Sequence, residues 1–187
     1  MQKKEIIFVS GNRHKYNELC AILGKEARLK MKTLPIEEPD LASLEAVARR
    51  KAEQAFAKIK KPVIVEDTGV YFGAYKNFPG GLAKRVYEGI GFKGLIALIR
   101  TAKNRKAYFK TAICYKDAKL EKVFSGIMKG RLIDRVVAEE KDRLPYEKLF
   151  IPEGYKIAVA EMPLKEKHGI SHRAKAARKL GKWLGKK

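Results

Sequence analysis

Cysteine is nearly absent from this chain of 187 residues: Cys20 and Cys114 are the two, far apart and set among apolar neighbours. That excludes a disulfide framework and fits buried free thiols in a reducing compartment. Histidine is scarce as well, at positions 14, 168 and 172, and no His/Cys spacing of the zinc-site kind occurs. Long apolar runs are missing, so nothing approaches the roughly 18 residues of a membrane span. The short Ile6–Val9 stretch has neither the length nor the cleavage site of a signal peptide. The expectation is a cytoplasmic protein with no membrane partner. Glutamine occurs only at positions 2 and 54, and internal repeats and low-complexity linkers are lacking.

Acid is also in short supply: 21 Asp and Glu face 42 Lys and Arg, a formal net charge of +21. Such a surplus favours polyanionic partners, nucleotides and nucleic acid among them. The densest basic cluster is the C-terminal stretch from Arg173, but it carries a single aromatic residue, Trp183, and no zinc-knuckle, RNP or helix-turn-helix spacing. Nucleic acid binding through this surface is therefore possible but not favoured. With 45% hydrophobic residues the chain can bury a core despite its 34% charged fraction. Its length argues for one domain over residues 1–187, or two small lobes around one core.

Glu5–Val9 reads as a buried strand ending at Ser10-Gly11-Asn12, and Tyr16, Leu19, Cys20 and Leu23 then fall on one helical face closed by Gly24. Residues 32–40, with Pro35 and Pro39, read as loop or irregular edge strand. Leu44 to Ile59 carries a helical apolar stripe that Pro62 ends. Val63-Ile64-Val65 reads as a strand with Glu66 and Asp67 at its end, followed by a loop region punctuated by Gly69, Gly73 and Pro79-Gly80-Gly81. A helix around Phe92–Ile99, a hairpin of Tyr108–Tyr115 with Lys122–Met128, a strand at Ile157–Ala160 and a last helix capped by Ser171 complete the reading. Strands alternating with helices give an α/β or α+β fold with a mixed sheet.

Three constellations carry chemistry. Ser10-Gly11-Asn12-Arg13-His14-Lys15 sits at a strand-to-helix turn, where helix amides and a lysine suit phosphate, although the Gly-rich span of a Walker loop is missing. Glu66-Asp67-Thr68-Gly69 places two acids after an apolar strand. Strand alternation points them to opposite faces, so one faces a cleft and suits a hard cation such as Mg²⁺. Glu37-Glu38, in the Pro-bounded loop, could complete that metal site. Ser171-His172-Arg173, at the start of the last helix, suits an anion or a base edge.

Together these segments resemble the inosine triphosphate pyrophosphatase family. The matching pieces are Ser10-Gly11-Asn12-x-x-Lys15 with Glu18, Val65-Glu66-Asp67-Thr68-Gly69 and Phe78-Pro79-Gly80, then Tyr108-Phe109-Lys110-Thr111 and Phe124-Ser125-Gly126 with Gly130-Arg131. Phe150-Ile151-Pro152-Glu153-Gly154, Ala160-Glu161-Met162, Glu166-Lys167 and Ile170-Ser171-His172-Arg173-x-Lys175-Ala176 follow in register, covering nearly the whole chain.

The resemblance implies Mg²⁺-dependent hydrolysis of non-standard purine nucleoside triphosphates to the monophosphate and pyrophosphate. It implies an elongated mixed sheet in two lobes with the active-site cleft between them, and a homodimer. Ser10, Gly11, Asn12 and Lys15 would hold the triphosphate. Asp67 would act as general base and, with Glu38, as metal carboxylate. Thr68, Lys167, His172 and Arg173 would fix the phosphates and purine.

The family's Gly-Phe-Gly-Tyr-Asp-Pro segment is Arg143-Leu144-Pro145-Tyr146-Glu147-Lys148 here, so Leu144 stands where a ring faces the purine. Loss of that ring could cost about 1–3 kcal/mol of base binding. Tyr146 remains as a possible stacking partner, and Glu147 replaces the Asp. Two alternatives stay open: a family member with altered base preference or weak activity, and a basic nucleic-acid-binding protein on this fold.

Overall fold

The computed structural model describes residues 3–37, 39 and 43–186. Among them run strand β1 (Lys4–Val9), helix α1 (Arg13–Leu23), β2 (Ala27–Lys32), α2 (Leu44–Ile59), β3 (Val63–Phe72), β4 (Pro79–Gly80) and α3 (Ala83–Thr101). β5 (Lys106–Lys116), β6 (Glu121–Leu132), a 3-10 turn (Pro145–Leu149), β7 (Phe150–Pro152), α4 (Leu164–Ile170) and α5 (His172–Leu184) follow. The described strands form one mixed sheet in the order β2-β1-β3-β5-β6-β7, with β4 paired to β3. An α/β fold with a mixed sheet is thus what the alternating pattern builds. By contact the chain divides into two compact units: Met1–Asp67 with Thr111–Gly126 and Ser171–Lys187, and Thr68–Lys110 with Ile127–Ile170.

In the first unit β1 pairs in parallel with β2 on one side and β3 on the other, Phe8 lying opposite Met31 and Ile64. Ile6, Phe8 and Ile64 share a core with Leu19 and Leu23 of α1 and Ala177 and Leu180 of α5. Each fully buried Leu, Ile or Phe there stabilises the fold by roughly 1.5–3 kcal/mol. Asn12 caps α1 and Ser171 caps α5, each through its side-chain oxygen. Gly126 on β6 lets α5 start where it does, since a Cβ would lie 2.1 Å from the His172 carbonyl oxygen. The Cys114 thiol is buried, and that burial pushes its pKa up to about 12, far from the reactive thiolate.

The second unit packs Val70, Phe72, Leu95, Ile99, Phe109, Leu149 and Phe150 into a separate core. β6 and β7 pair antiparallel there, Arg131 opposite Ile151. The helix α3 is longer than the Phe92–Ile99 stripe and breaks at Gly91, whose φ of 58° leaves the helical region.

Two sequence-based expectations change, and two elements appear where the sequence carried no expectation. Ala27–Lys32 is a strand: Ala27 and Leu29 are buried while Arg28 and Lys30 are exposed, an alternation obscured by the long charged side chains. Glu66 and Asp67 lie in the middle of β3, which continues to Phe72 through Gly69. Gly69 marks close backbone approach, not a loop, for a Cβ would sit 2.9 Å from the Gly80 carbonyl carbon and oxygen. Ile157–Ala160 is a set of bends and turns, held by bonds from Val159 N to Phe150 O and from Ala160 N to Glu147 O. Leu164–Ile170 forms a short helix that its polar sequence did not announce.

Candidate active site

The strand-to-helix turn after β1 is locked by its own side chains. Ser10 Oγ accepts a hydrogen bond from Asn12 N at 3.1 Å, and Asn12 Oδ1 accepts from Lys15 N at 3.1 Å. Ser10 N in turn donates to Lys32 O at 3.1 Å, and Gly11 is exposed at the tip. Asn12 therefore has a capping duty that the sequence reading gave to the ligand. One turn into α1, the Lys15 ammonium lies 3.4 Å from Glu66 Oε1.

Both acids of β3 are buried, and alternation sends them to opposite faces. Glu66 shares the face on which α1 and α5 pack. Its Oε2 accepts from Arg173 Nε at 2.9 Å, while Arg173 Nη1 donates to Glu18 Oε2 at 2.5 Å. Arg173 has no exposed surface at all, and Nη2 is its nitrogen without a hydrogen-bond partner among the described residues. Burial alone would lower the guanidinium's pKa, but Glu66 and Glu18 outweigh it and the net shift is upward. Arg173 is thus a clamp on two carboxylates, where the sequence suggested a residue presented for an anion. His172, the first residue of α5, is buried beside it in sequence.

Asp67 points to the other face, where Lys51 of α2 donates to its Oδ1 at 2.9 Å. Sequence reasoning missed Lys51. The available signal was a lysine on the inner flank of an apolar stripe, between Ala48 and Ala55, where a charged residue needs a partner. Three residues on, Gln54 Oε1 accepts from Glu37 N at 3.1 Å, so α2 also holds the Pro-bounded loop at Glu37. Glu38, the second expected metal ligand, lies outside the described residues. No group of three or more His, Cys, Asp or Glu poised for a metal occurs among those described. A hard cation held by one or two carboxylates and substrate phosphates needs no such group, so Asp67's donor chemistry remains compatible with Mg²⁺.

The second unit holds the remaining expected residues. Thr68 is half-buried on β3. Lys167 and Glu147 are both almost completely buried, with Nζ 2.6 Å from Oε1 but outside hydrogen-bond alignment. Tyr146 does not stack outward as its survival suggested. Its hydroxyl donates to Ala83 O at 2.9 Å, its ring meets Phe72 edge-on at 6.3 Å, and burial raises its pKa. Pro145 opens the 3-10 turn that draws Tyr146 into the core. Leu144 stays half-buried before it.

A parallel β-α-β opening with a capped polar turn and two partnered acids on the third strand defines an α/β protein with a charged, ligand-ready strand. The Ham1 family profile matches residues 6–183, and the chain belongs to that family. A dITP/XTP pyrophosphatase of Hyperthermus butylicus is 36% identical to it over 98% of this chain and 96% of its own length. The inosine triphosphate pyrophosphatase of Saccharomyces cerevisiae is 31% identical over 98% of each. The fold is shared with a HAM1 protein from Coxiella burnetii, at a TM-score of 0.85 and 22% identity, covering 98% of this chain and all of that one.

Proposed function

We propose that this chain hydrolyses non-standard purine nucleoside triphosphates, such as the inosine and xanthosine forms, to the monophosphate and pyrophosphate. The observation that carries the reading is Asp67, a buried carboxylate steadied by Lys51 on a strand whose neighbouring acid is tied to Lys15 and Arg173. Lys51 holds one carboxylate oxygen in place and so orients the group that would serve as general base. Lys15 supplies positive charge for phosphate oxygens, and its tie to Glu66 keeps that charge next to the turn of Ser10, Gly11 and Asn12. The readings of Thr68, Lys167, Glu147 and His172 as substrate contacts belong to the same proposal.

Mg²⁺ is the expected cofactor, held by Asp67 and Glu38 together with substrate phosphates. When bound it would neutralise phosphate charge as the anhydride breaks. We also read the protein as a cytoplasmic homodimer. Support for the activity comes from membership in the Ham1 family and from relatives named as dITP/XTP and inosine triphosphate pyrophosphatases.

The test is pyrophosphate release from inosine, xanthosine, deoxyinosine and guanosine triphosphates with and without Mg²⁺, for the native chain and Asp67→Asn. Release from the first three that needs Mg²⁺ and is lost in the variant is expected. No release from any triphosphate, or release unchanged in Asp67→Asn, overturns the reading.

A further inference from the structure

The charge surplus has a structural address that the proposed catalysis does not use. In α5 the outward-facing residues are Lys175, Arg178, Lys179 and Lys182, and Lys186 continues the line in the turn that follows. Their spacing, i, i+3, i+4, i+7 and i+11, is one face of a helix. No Asp or Glu occurs anywhere in α5. Like charges at i+3 and i+4 each weaken a helix by a few tenths of a kcal/mol, so the ridge works against the stability of its own element. Exposed Lys122 of β6 extends it, its ammonium 5.5 Å above the Trp183 ring and 5.9 Å above Phe124.

Of the acids on the neighbouring β5–β6 hairpin, Glu121 takes Arg49 and Lys116, and Asp117 takes Lys4. Glu26 lies near the inner side of the helix, its carboxyl carbon 3.5 Å from where a Gly181 Cβ would be. Lys179 donates to Ser125 O at 2.7 Å.

We infer that this ridge is a docking surface for the phosphodiester backbone of double-stranded nucleic acid, independent of base sequence. Its cations recur about once per 5.4 Å helical turn, which suits a lattice of phosphates rather than one anion. A membrane is disfavoured because the apolar side of α5, Ala174, Ala176, Ala177, Leu180 and Leu184, is buried in the core and cannot insert. A protein partner would want apolar or aromatic anchors among the cations. Single strands would want free rings, and Trp183 is committed to Tyr115, at 5.0 Å, and to Phe124. Only Lys and Arg line the ridge, and as a row of evenly spaced cations they suit the repeating charge of the backbone.

The inference is independent of the hydrolytic reading. Its test is fluorescence anisotropy of the full chain with a labelled 20-base-pair duplex at several salt concentrations. The comparison sets the triple variant Arg178→Gln, Lys179→Gln, Lys182→Gln against a charge-matched control, Lys84→Gln, Lys93→Gln, Lys103→Gln, in the second unit. Native binding should weaken linearly on logarithmic axes. The ridge variant should lose at least tenfold in affinity and about 2–3 units of salt slope, at about 0.9 per phosphate contact. The control should lose little, and both variants should retain the native circular dichroism and melting profile. A two-site reversal, Arg178→Glu with Lys179→Glu, should abolish binding. Absence of duplex binding at low salt, equal losses in the control, or tighter binding to a single strand, polyglutamate or anionic vesicles would each overturn it.

Discussion

Two buried charge clusters, one in each unit, solve the same problem differently. In the first unit Arg173 is hydrogen-bonded to Glu66 and Glu18, and Lys15 adds a second cation to Glu66. In the second unit the Lys167 ammonium lies 2.6 Å from Glu147 Oε1, close in distance but outside hydrogen-bond alignment. A planar guanidinium can satisfy two carboxylates along fixed directions, whereas an ammonium is a point charge that two elements must bring together. The first cluster is therefore architectural, tying β3, α1 and α5. The second joins the 3-10 turn to α4 through one buried ion pair.

The sharpest way to break this comparison is Arg173→Met. It takes the guanidinium away from two buried carboxylates, so unfolding in urea should show a loss of about 3–5 kcal/mol. Arg173→Lys should recover little, because one ammonium cannot serve both acids along the guanidinium's directions. A loss below about 1 kcal/mol would put Arg173 outside the architecture.

Next in size is Lys167→Met, which leaves Glu147 buried without its cation and should cost about 3 kcal/mol. Here the double variant Lys167→Met with Glu147→Leu should return to within about 1 kcal/mol of the native chain. The matching double variant at Arg173 and Glu18 should recover less, since Glu66 would still lack the guanidinium and keep only the longer contact to Lys15 among those described. Equal recovery in both double variants would erase the distinction between the clusters.

The first unit was also the more legible in sequence, for a physical reason. Its strand-to-helix turn, its capping Ser171 and the helical stripes of α1, α2 and α5 are local patterns, and each formed where the residues predicted, although the capping duty of Asn12 did not show. What stayed hidden was set by distant contacts. Lys51 gains its meaning from Asp67 on another element, and Arg173 changes from ligand candidate to clamp only when Glu18 and Glu66 close around it. In the second unit, Gly69 looked like a loop until Gly80 packed against it, and Tyr146 looked available until Ala83 and Phe72 claimed it. Short motifs in register disclosed the family. They did not disclose which side chains of those motifs face inward.

A smaller stability effect, with a larger effect on activity, belongs to Lys51→Gln. The pair with Asp67 retains some exposure on both sides, 14% and 12% of the side chains, so its loss should cost about 1–2 kcal/mol. On the proposed reading kcat should fall at least tenfold while KM moves little, because Lys51 orients the base and does not hold the nucleotide. Unchanged kcat would detach Lys51 from Asp67's proposed role.

The smallest effect marks the solvent end of the comparison. Asp134, in the second unit, accepts a hydrogen bond from Arg105 Nη2 at 3.1 Å, with Arg100 Nε at 4.0 Å. The Arg105 bond holds its carboxyl below the usual carboxylate range, although the side chain keeps 38% of its surface exposed. A depressed folded pKa means the contribution is present above the unfolded value of about 3.9 and is lost as pH falls through the folded one. Water and salt screen such a pair, so Asp134→Asn should lower the melting temperature at pH 7 only slightly. It should flatten only a shallow feature on the acid side, below about pH 4, in a series of melts against pH. A clear loss at neutral pH would show that exposure does not separate this pair from the buried clusters, and the contrast drawn between them would have to rest on geometry alone.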